Sequence, residues 1–241
     1  MRLTIIIVMA IVLLTLNSVA TIGSIGSQEM GMGFAGISTA EGADVVYWNP
    51  AKLGKNLDYN FGISYGKAIH KTNYNHFALV YDKIGFMIAR QPGQIYYHIS
   101  GGDWLTSRMM IGCGFGYLEK PIIKEYTGFV SPSLAYFLND EIEISILMQI
   151  ANFNNINARP AFLMSKKYIK MTIELYDTFN AYNTRHLRSG LEVKTGSLPI
   201  YLRAGNYDGL WTFGAGVKIQ RFGIDIVKDN KNSITMAFKY N

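Results

Sequence analysis

The sequence predicts an all-β fold: a transmembrane antiparallel β-barrel of about 12 to 14 strands, fourteen favoured, with a compact N-terminal segment before it. Three observations predict it. An apolar leader opens the chain, side chains alternate with a period of two from Tyr59 onward, and turn residues interrupt that alternation at short intervals.

The leader comes first. Arg2 gives it a positive start, Leu3 to Leu14 is an apolar run broken only by Thr4, and Ser18-Val19-Ala20 has the small residues of a processing site. Residues 1–20 therefore read as a secretory signal peptide cleaved after Ala20. The apolar run, about 12 residues, is shorter than the about 20 that a spanning helix needs. Export implies an oxidising compartment, yet Cys113 is the single cysteine of the chain and has no internal partner for a disulfide. Lying between Gly112 and Gly114, it reads as a small packed or lipid-facing side chain.

Residues 21–58 do not alternate. Gly31, Gly33, Ala35 and Gly36 are small, Ser38 to Glu41 has the spacing of a helix capping box, and "YWNPAKLG" offers Asn49 as an N-cap, Pro50 as a first helical residue and Gly54 as a stop. Such a stretch is compact and turn-rich, suited to a confined space.

From Tyr59 the period is two. In "WTFGAGVKIQ" Trp211, Phe213, Ala215, Val217 and Ile219 share one face, opposite Thr212, Gly214, Gly216, Lys218 and Gln220. "EIEISILMQI", "IKMTIELY" and "SITMAFKYN" repeat the pattern. Breakers such as Asp82-Lys83, Gly101-Gly102-Asp103, Asn139-Asp140 and Asp208-Gly209 divide the chain into about fourteen candidate strands. These lie near 59–66, 75–82, 84–90, 94–100, 106–118, 127–138, 141–151, 159–167, 168–176, 185–194, 199–207, 211–220, 222–228 and 233–240. A soluble sandwich would hide the apolar faces, whereas a membrane barrel turns them to lipid and keeps small and polar residues inside. Glycines within the polar faces favour the barrel, as do tyrosines near strand ends (Tyr65, Tyr81, Tyr117, Tyr176, Tyr207, Tyr240), which suit an interfacial girdle. No composition break marks a second domain after residue 59, so 59–241 reads as one barrel.

The segment before the barrel resembles a known family. "MGMGFAG" followed by "ADVVYWNPAKL" is similar to the N-terminal signature of the FadL-like outer-membrane transporter superfamily and its PorV/PorQ-like relatives. Gly31, Gly33 and Gly36 match its glycine motif, Asp44 its acidic position loosely, Tyr47 the aromatic, and Asn49, Pro50 and Ala51 its Asn-Pro-Ala. The resemblance covers about 25 residues and implies that 21–58 is a plug, or hatch, inside the barrel. It implies passive transport of hydrophobic small molecules or, as in the PorV/PorQ-like relatives, a scaffold or shuttle barrel in protein secretion. The expected surroundings are then the outer membrane of a Gram-negative-type bacterium and its lipid. Expected partners are a hydrophobic small-molecule ligand or a secretion-machinery or envelope protein.

Other chemistry finds little support. The formal charge of +6 is spread along the chain without a basic stripe, which excludes nucleic acid. His70, His76, His98 and His186 lack partners at metal-ligand spacing, and no cofactor motif is present. One enzymatic alternative rests on "HIS": His98 and Ser100 project from the same strand face, as in the His-x-Ser of outer-membrane lipid hydrolases. Alternation turns that face toward the lumen, away from lipid, and Gly101 stands where those hydrolases carry asparagine. The expectation is a barrel that is not an enzyme.

Overall fold

A computed structural model describes residues 27–55, 60–67, 73–91, 93–121, 124–152, 155–178, 185–196, 198–229 and 234–240. The signal peptide expected at 1–20 lies outside the described residues, as do 21–26 and 56–59 of the N-terminal segment.

Fourteen strands follow that segment: β1 (Asn60–Lys67), β2 (Asn73–Tyr81), β3 (Ile84–Gln91), β4 (Gln94–Thr106), β5 (Met109–Lys120), β6 (Glu125–Phe137), β7 (Ile142–Asn152), β8 (Asn155–Lys166), β9 (Ile169–Tyr176), β10 (His186–Lys194), β11 (Ile200–Tyr207), β12 (Leu210–Ile219), β13 (Phe222–Asp229) and β14 (Ile234–Tyr240). Each pairs antiparallel with the next, and β14 returns to β1, closing the barrel. Closure removes the sheet edges that would leave unpaired amides in hydrocarbon.

Local chemistry sets the corners. Asp208 and Gly209 join β11 to β12 with φ of 48° and 75°, the left-handed pair that an Asp-Gly hairpin supplies. Asp82 and Gln220 take positive φ in the turns after β2 and β12. Pro132, which has no N–H to give, sits where the β6–β7 ladder lapses between Val130 and Ser133.

Alternation divides inside from outside. Phe77, Phe86, Ile99, Ile144, Ile173, Leu202, Phe213, Ile226 and Met236 all point outward and are exposed, while their neighbours Ala78, Met87, His98, Ser145, Glu174, Arg203, Thr212, Val227 and Ala237 are buried. An exposed belt of large apolar side chains around a closed barrel is the surface of a membrane-embedded wall. Aromatics stand at both rims. Tyr81, Trp104, Tyr168 and Phe222 lie near the end that carries the start of β1 and the end of β14, and Tyr97, Tyr117 and Tyr126 near the other.

Two tyrosines of the expected girdle belong elsewhere. Tyr176 and Tyr207 share the parity of the inward Glu174 and Arg203, so both turn into the lumen, where Tyr176 stacks on His186 and Tyr207 meets Phe34 edge-on. A position near a strand end does not decide which face a side chain takes; parity does.

Candidate functional site in the barrel lumen

The N-terminal segment occupies the lumen. It folds as α1 (Ser27–Gly31), a 3-10 turn (Gly42–Asp44), α2 (Val45–Trp48) and a 3-10 helix (Pro50–Lys55). Helices this short do not persist in water unaided; the enclosing wall holds them. Nearly every described residue from Gln28 to Gly54 is buried, Glu41 being the exception.

The residues singled out from the sequence are all in this lumen. Gly31 packs on the Arg203 stem, where a Cβ would stand 3.3 Å away. Gly33 has φ 66° and presses on the backbone of β10 and β11, with its N–H donated to Thr212 Oγ1 at 3.2 Å. At Gly36 a side chain would enter the Trp48 ring. Tyr47 meets Trp48 and Tyr96 edge-on, with centroids 5.2 and 5.6 Å apart. Asn49 donates Nδ2 to Ile37 O at 2.9 Å and to Ser145 Oγ at 3.2 Å. The Pro50 carbonyl lies against Gly102 and Gly112, and Ala51 N donates to Ser133 Oγ at 2.8 Å.

Two local expectations change. Ser38 forms no capping box, because its hydroxyl bonds Thr172 Oγ1 of β9 at 2.9 Å. Asn49 opens the 3-10 helix through its carbonyl, which accepts from Lys52 N, while its side chain binds the segment to itself and to β7. The Ser38 hydroxyl is thus taken by the barrel, whereas Asn49 is turned so that its amide nitrogen bonds the segment and β7.

Sequence reasoning missed the wall residues that receive the segment. Glu174 Oε1 accepts from Arg159 Nε at 3.0 Å and Nη2 at 2.5 Å and from Arg188 Nη1 at 3.3 Å, while Oε2 accepts Ile37 N at 3.2 Å. Arg188 also donates to Phe34 O at 3.0 Å. Two guanidiniums to one carboxylate leave a surplus positive charge, and aromatic faces meet it: Arg188 lies over Tyr176 and Tyr207, and Arg159 over Trp48 and Tyr176. Asp44 pairs with Lys239 of β14 and lies 3.7 Å from His76 Nε2 of β2. Those strands flank β1, so the Asp44 carboxylate spans the seam where the first and last strands meet. Lys52 bridges to Glu143 at 3.3 Å and donates to Ser38 O at 2.6 Å. Inward parity was the signal available for Arg159, Glu174 and Arg188; which of them meet was not.

The lumen is thus two-sided. From β7 to β14 the inner wall carries Glu143, Arg159, Glu174, Arg188, Glu192, Arg203, Asp225 and Lys239, all buried. Among the described residues, the buried positions of the β3 to β6 inner face carry no carboxylate or lysine, Lys120 sharing that parity only at the half-buried end of β5; Met87, Tyr96, Leu118 and Phe129 fill them, with His98 stacked on Phe129 at 5.7 Å. Val46 and Tyr47 of α2 face that uncharged side, where Val46 packs on Gly85, Tyr47 meets Tyr96 edge-on and Ser100 Oγ donates to Val46 O at 3.0 Å, while Trp48 turns toward Arg159 of the charged side. That bond commits the Ser100 proton to a carbonyl, and no hydrogen bond links His98 to Ser100 among the described residues. No group of three or more His, Cys, Asp or Glu able to hold a metal occurs among the described residues. The cavities that open at the mouth bearing the barrel's first and last strand ends include two of about 280 and 210 Å³.

A closed fourteen-stranded wall with an apolar exterior and a segment inside it defines the class: an integral membrane β-barrel of the outer-membrane type. No family model matches the chain, and no curated protein is similar to it in sequence. Among solved structures it is similar to CymD, described as a monoaromatic hydrocarbon channel, with a TM-score of 0.58 at 9% identity over 92% of this chain and 98% of that one. A deletion mutant of TodX, also described as a monoaromatic hydrocarbon channel, gives 0.54 at 9% identity, covering 90% and 97%. The outer-membrane protein Omp33 of Acinetobacter baumannii gives 0.52 at 10% identity, covering 78% and 99%. At such identities the likeness is one of fold.

Proposed function

We propose that this chain is an outer-membrane barrel of a Gram-negative-type bacterium that passes hydrophobic small molecules passively, with residues 21–58 as its plug, in the manner of the FadL-like superfamily that its glycine and Asn-Pro-Ala motifs resemble. One observation carries the reading: the uncharged, aromatic half of the lumen lies against α2, so displacement of α2 exposes an apolar path lined by Met87, Tyr96, Leu118 and Phe129. The hydrocarbon channels of similar fold are consistent with it. Barrels of this kind carry their short turns on the periplasmic side, and the two-residue turns joining β2 to β3, β4 to β5, β8 to β9 and β12 to β13 make the mouth at the start of β1 the periplasmic one. A ligand opens the plug only by binding the displaced state better than the seated one.

The test is uptake. Cells carrying the barrel in their outer membrane should accumulate a radiolabelled hydrophobic solute faster than cells without it, with no gain for a sugar of similar size. Equal rates in the two strains would remove the transport reading. A second reading, a PorV/PorQ-like scaffold or shuttle barrel in secretion or envelope assembly, is favoured by the tightly filled lumen. Recovery of a secretion-machinery or envelope protein by crosslinking in intact cells, with uptake unchanged, would decide for it.

A further inference from the structure

Beneath the plug, on the charged side of the periplasmic mouth, the cavity of about 210 Å³ has an uneven charge. Seven cationic side chains and three carboxylates line it, and all three carboxylates are already engaged. Arg203 holds Glu192 at 2.6 Å and Asp225 at 2.5 Å, and Lys170 holds Glu41 and lies 3.6 Å from Glu192. Lys239 is taken by Asp44. Lys167 lies over the Tyr168 ring, and Lys166, Lys194 and Lys218 form no ion pair among the described residues.

Position makes this surplus informative. Lys194 lies two residues beyond the inward Glu192 and Lys218 two beyond the inward Gly216, so both ammoniums belong to the lumen side of the wall rather than the lipid side. Cations that outnumber the carboxylates lining a concave, partly enclosed site repel one another and focus a positive potential into it. Tyr168, Ile169, Tyr201 and Val217 give the same cavity apolar edges, and the Gln28 side chain reaches it from the plug. An anion with a compact apolar body satisfies both features.

We propose that this cavity is a binding site for an oxyanion, a carboxylate or a phosphate, carried on a small apolar body and held by Lys194 and Lys218 with Lys166 at the rim. The site is separate from the uncharged path of α2 and does not depend on transport through it. Its chemistry fits a free periplasmic solute or the headgroup phosphate of a lipid curling over the rim, where Ile169 and Val217 are exposed.

Calorimetric titration of the full barrel in neutral-detergent micelles at low salt tests this, with benzoate and phenyl phosphate as probes and benzyl alcohol as the uncharged control. Both anions should bind and the alcohol should not. The double variant Lys194→Gln, Lys218→Gln should weaken binding at least about ten-fold, the loss expected for charged hydrogen bonds. Lys194→Arg, Lys218→Arg should retain it, and heat-modifiable gel migration verifies that both variants fold. In nanodiscs, retention of phosphatidylglycerol by the native barrel but not the glutamine variant assigns the site to a lipid. Binding of the soluble probes undisturbed by phosphatidylglycerol assigns it to a free solute. The proposal is overturned if the glutamine variant binds as the native chain does, or if neither the probes nor the lipid binds.

Discussion

At Glu174 a single buried carboxylate receives two arginines of the wall and the Ile37 amide of the N-terminal segment. Glu174→Gln keeps the shape but leaves Arg159 and Arg188 without their counter-charge, which costs about 3 to 5 kcal/mol when a buried pair is broken from one side. The urea midpoint of the barrel in micelles should fall accordingly, and a midpoint equal to the native one would refute the hub. Glu29 of α1 is buried beside Asp44. Burial chiefly raises its carboxyl to about 8 from the ordinary 4.5, with Lys239 opposing and Asp44 adding to the rise. The folded chain therefore holds a proton there that the unfolded chain releases near 4.5. Its contribution to stability is complete below that pH and is lost as pH rises through about 8. Urea midpoints measured across this window should decline for the native chain and decline less for Glu29→Gln; parallel slopes would exclude Glu29 as the cause.

Among the elements, strands were legible and the docking of the N-terminal segment was not. Strand existence follows from parity and turn residues, both local: the expected 84–90, 168–176 and 222–228 became β3 at Ile84–Gln91, β9 at Ile169–Tyr176 and β13 at Phe222–Asp229. Local signals also found the segment's glycines and Asn-Pro-Ala, whose meaning depends on contacts far along the chain, such as Gly33 with Thr212 and Ser38 with Thr172. No periodicity encodes those partners, so Ser38 reads as a cap when the wall has claimed its hydroxyl, and Asn49 reads as one when its amide nitrogen ties the segment to itself and to β7. The same parity fixes what a strand tolerates. Ile226 faces outward near the middle of β13. Ile226→Lys should destabilise the inserted barrel by about 2 to 4 kcal/mol, the cost of lysine at mid-depth on a lipid face. Its inward neighbour Val227 would not report that term. Unfolding of the variant in lipid vesicles at the native urea concentration would argue that this face does not meet lipid.

For the whole molecule, the proposed transport reading and the unequal halves of the lumen together predict which side of the segment opens. Ion pairs and charged hydrogen bonds tie the segment to β7–β10 and β14, through Lys52 with Glu143, Ile37 and Phe34 with Glu174 and Arg188, and Asp44 with Lys239. Against β3 to β6 it is held mainly by packing, which a hydrophobic ligand can replace contact for contact. The segment should therefore swing away from the uncharged wall while staying anchored on the charged one. Two disulfides distinguish the sides in a Cys113→Ser background. A Cβ at Gly85 would lie 3.3 Å from Val46 Cβ, close to the separation of about 3.5 to 4.5 Å that a disulfide spans, so Val46→Cys with Gly85→Cys fastens the uncharged side. Ser38 and Thr172, with hydroxyls 2.9 Å apart, fasten the charged side when both become cysteine. Uptake of the hydrophobic solute should stop in the first variant, return on reduction, and continue in the second. If both crosslinks block uptake equally, or neither does, the segment does not open toward β3 to β6, and the apolar lining there is packing for a permanently seated plug.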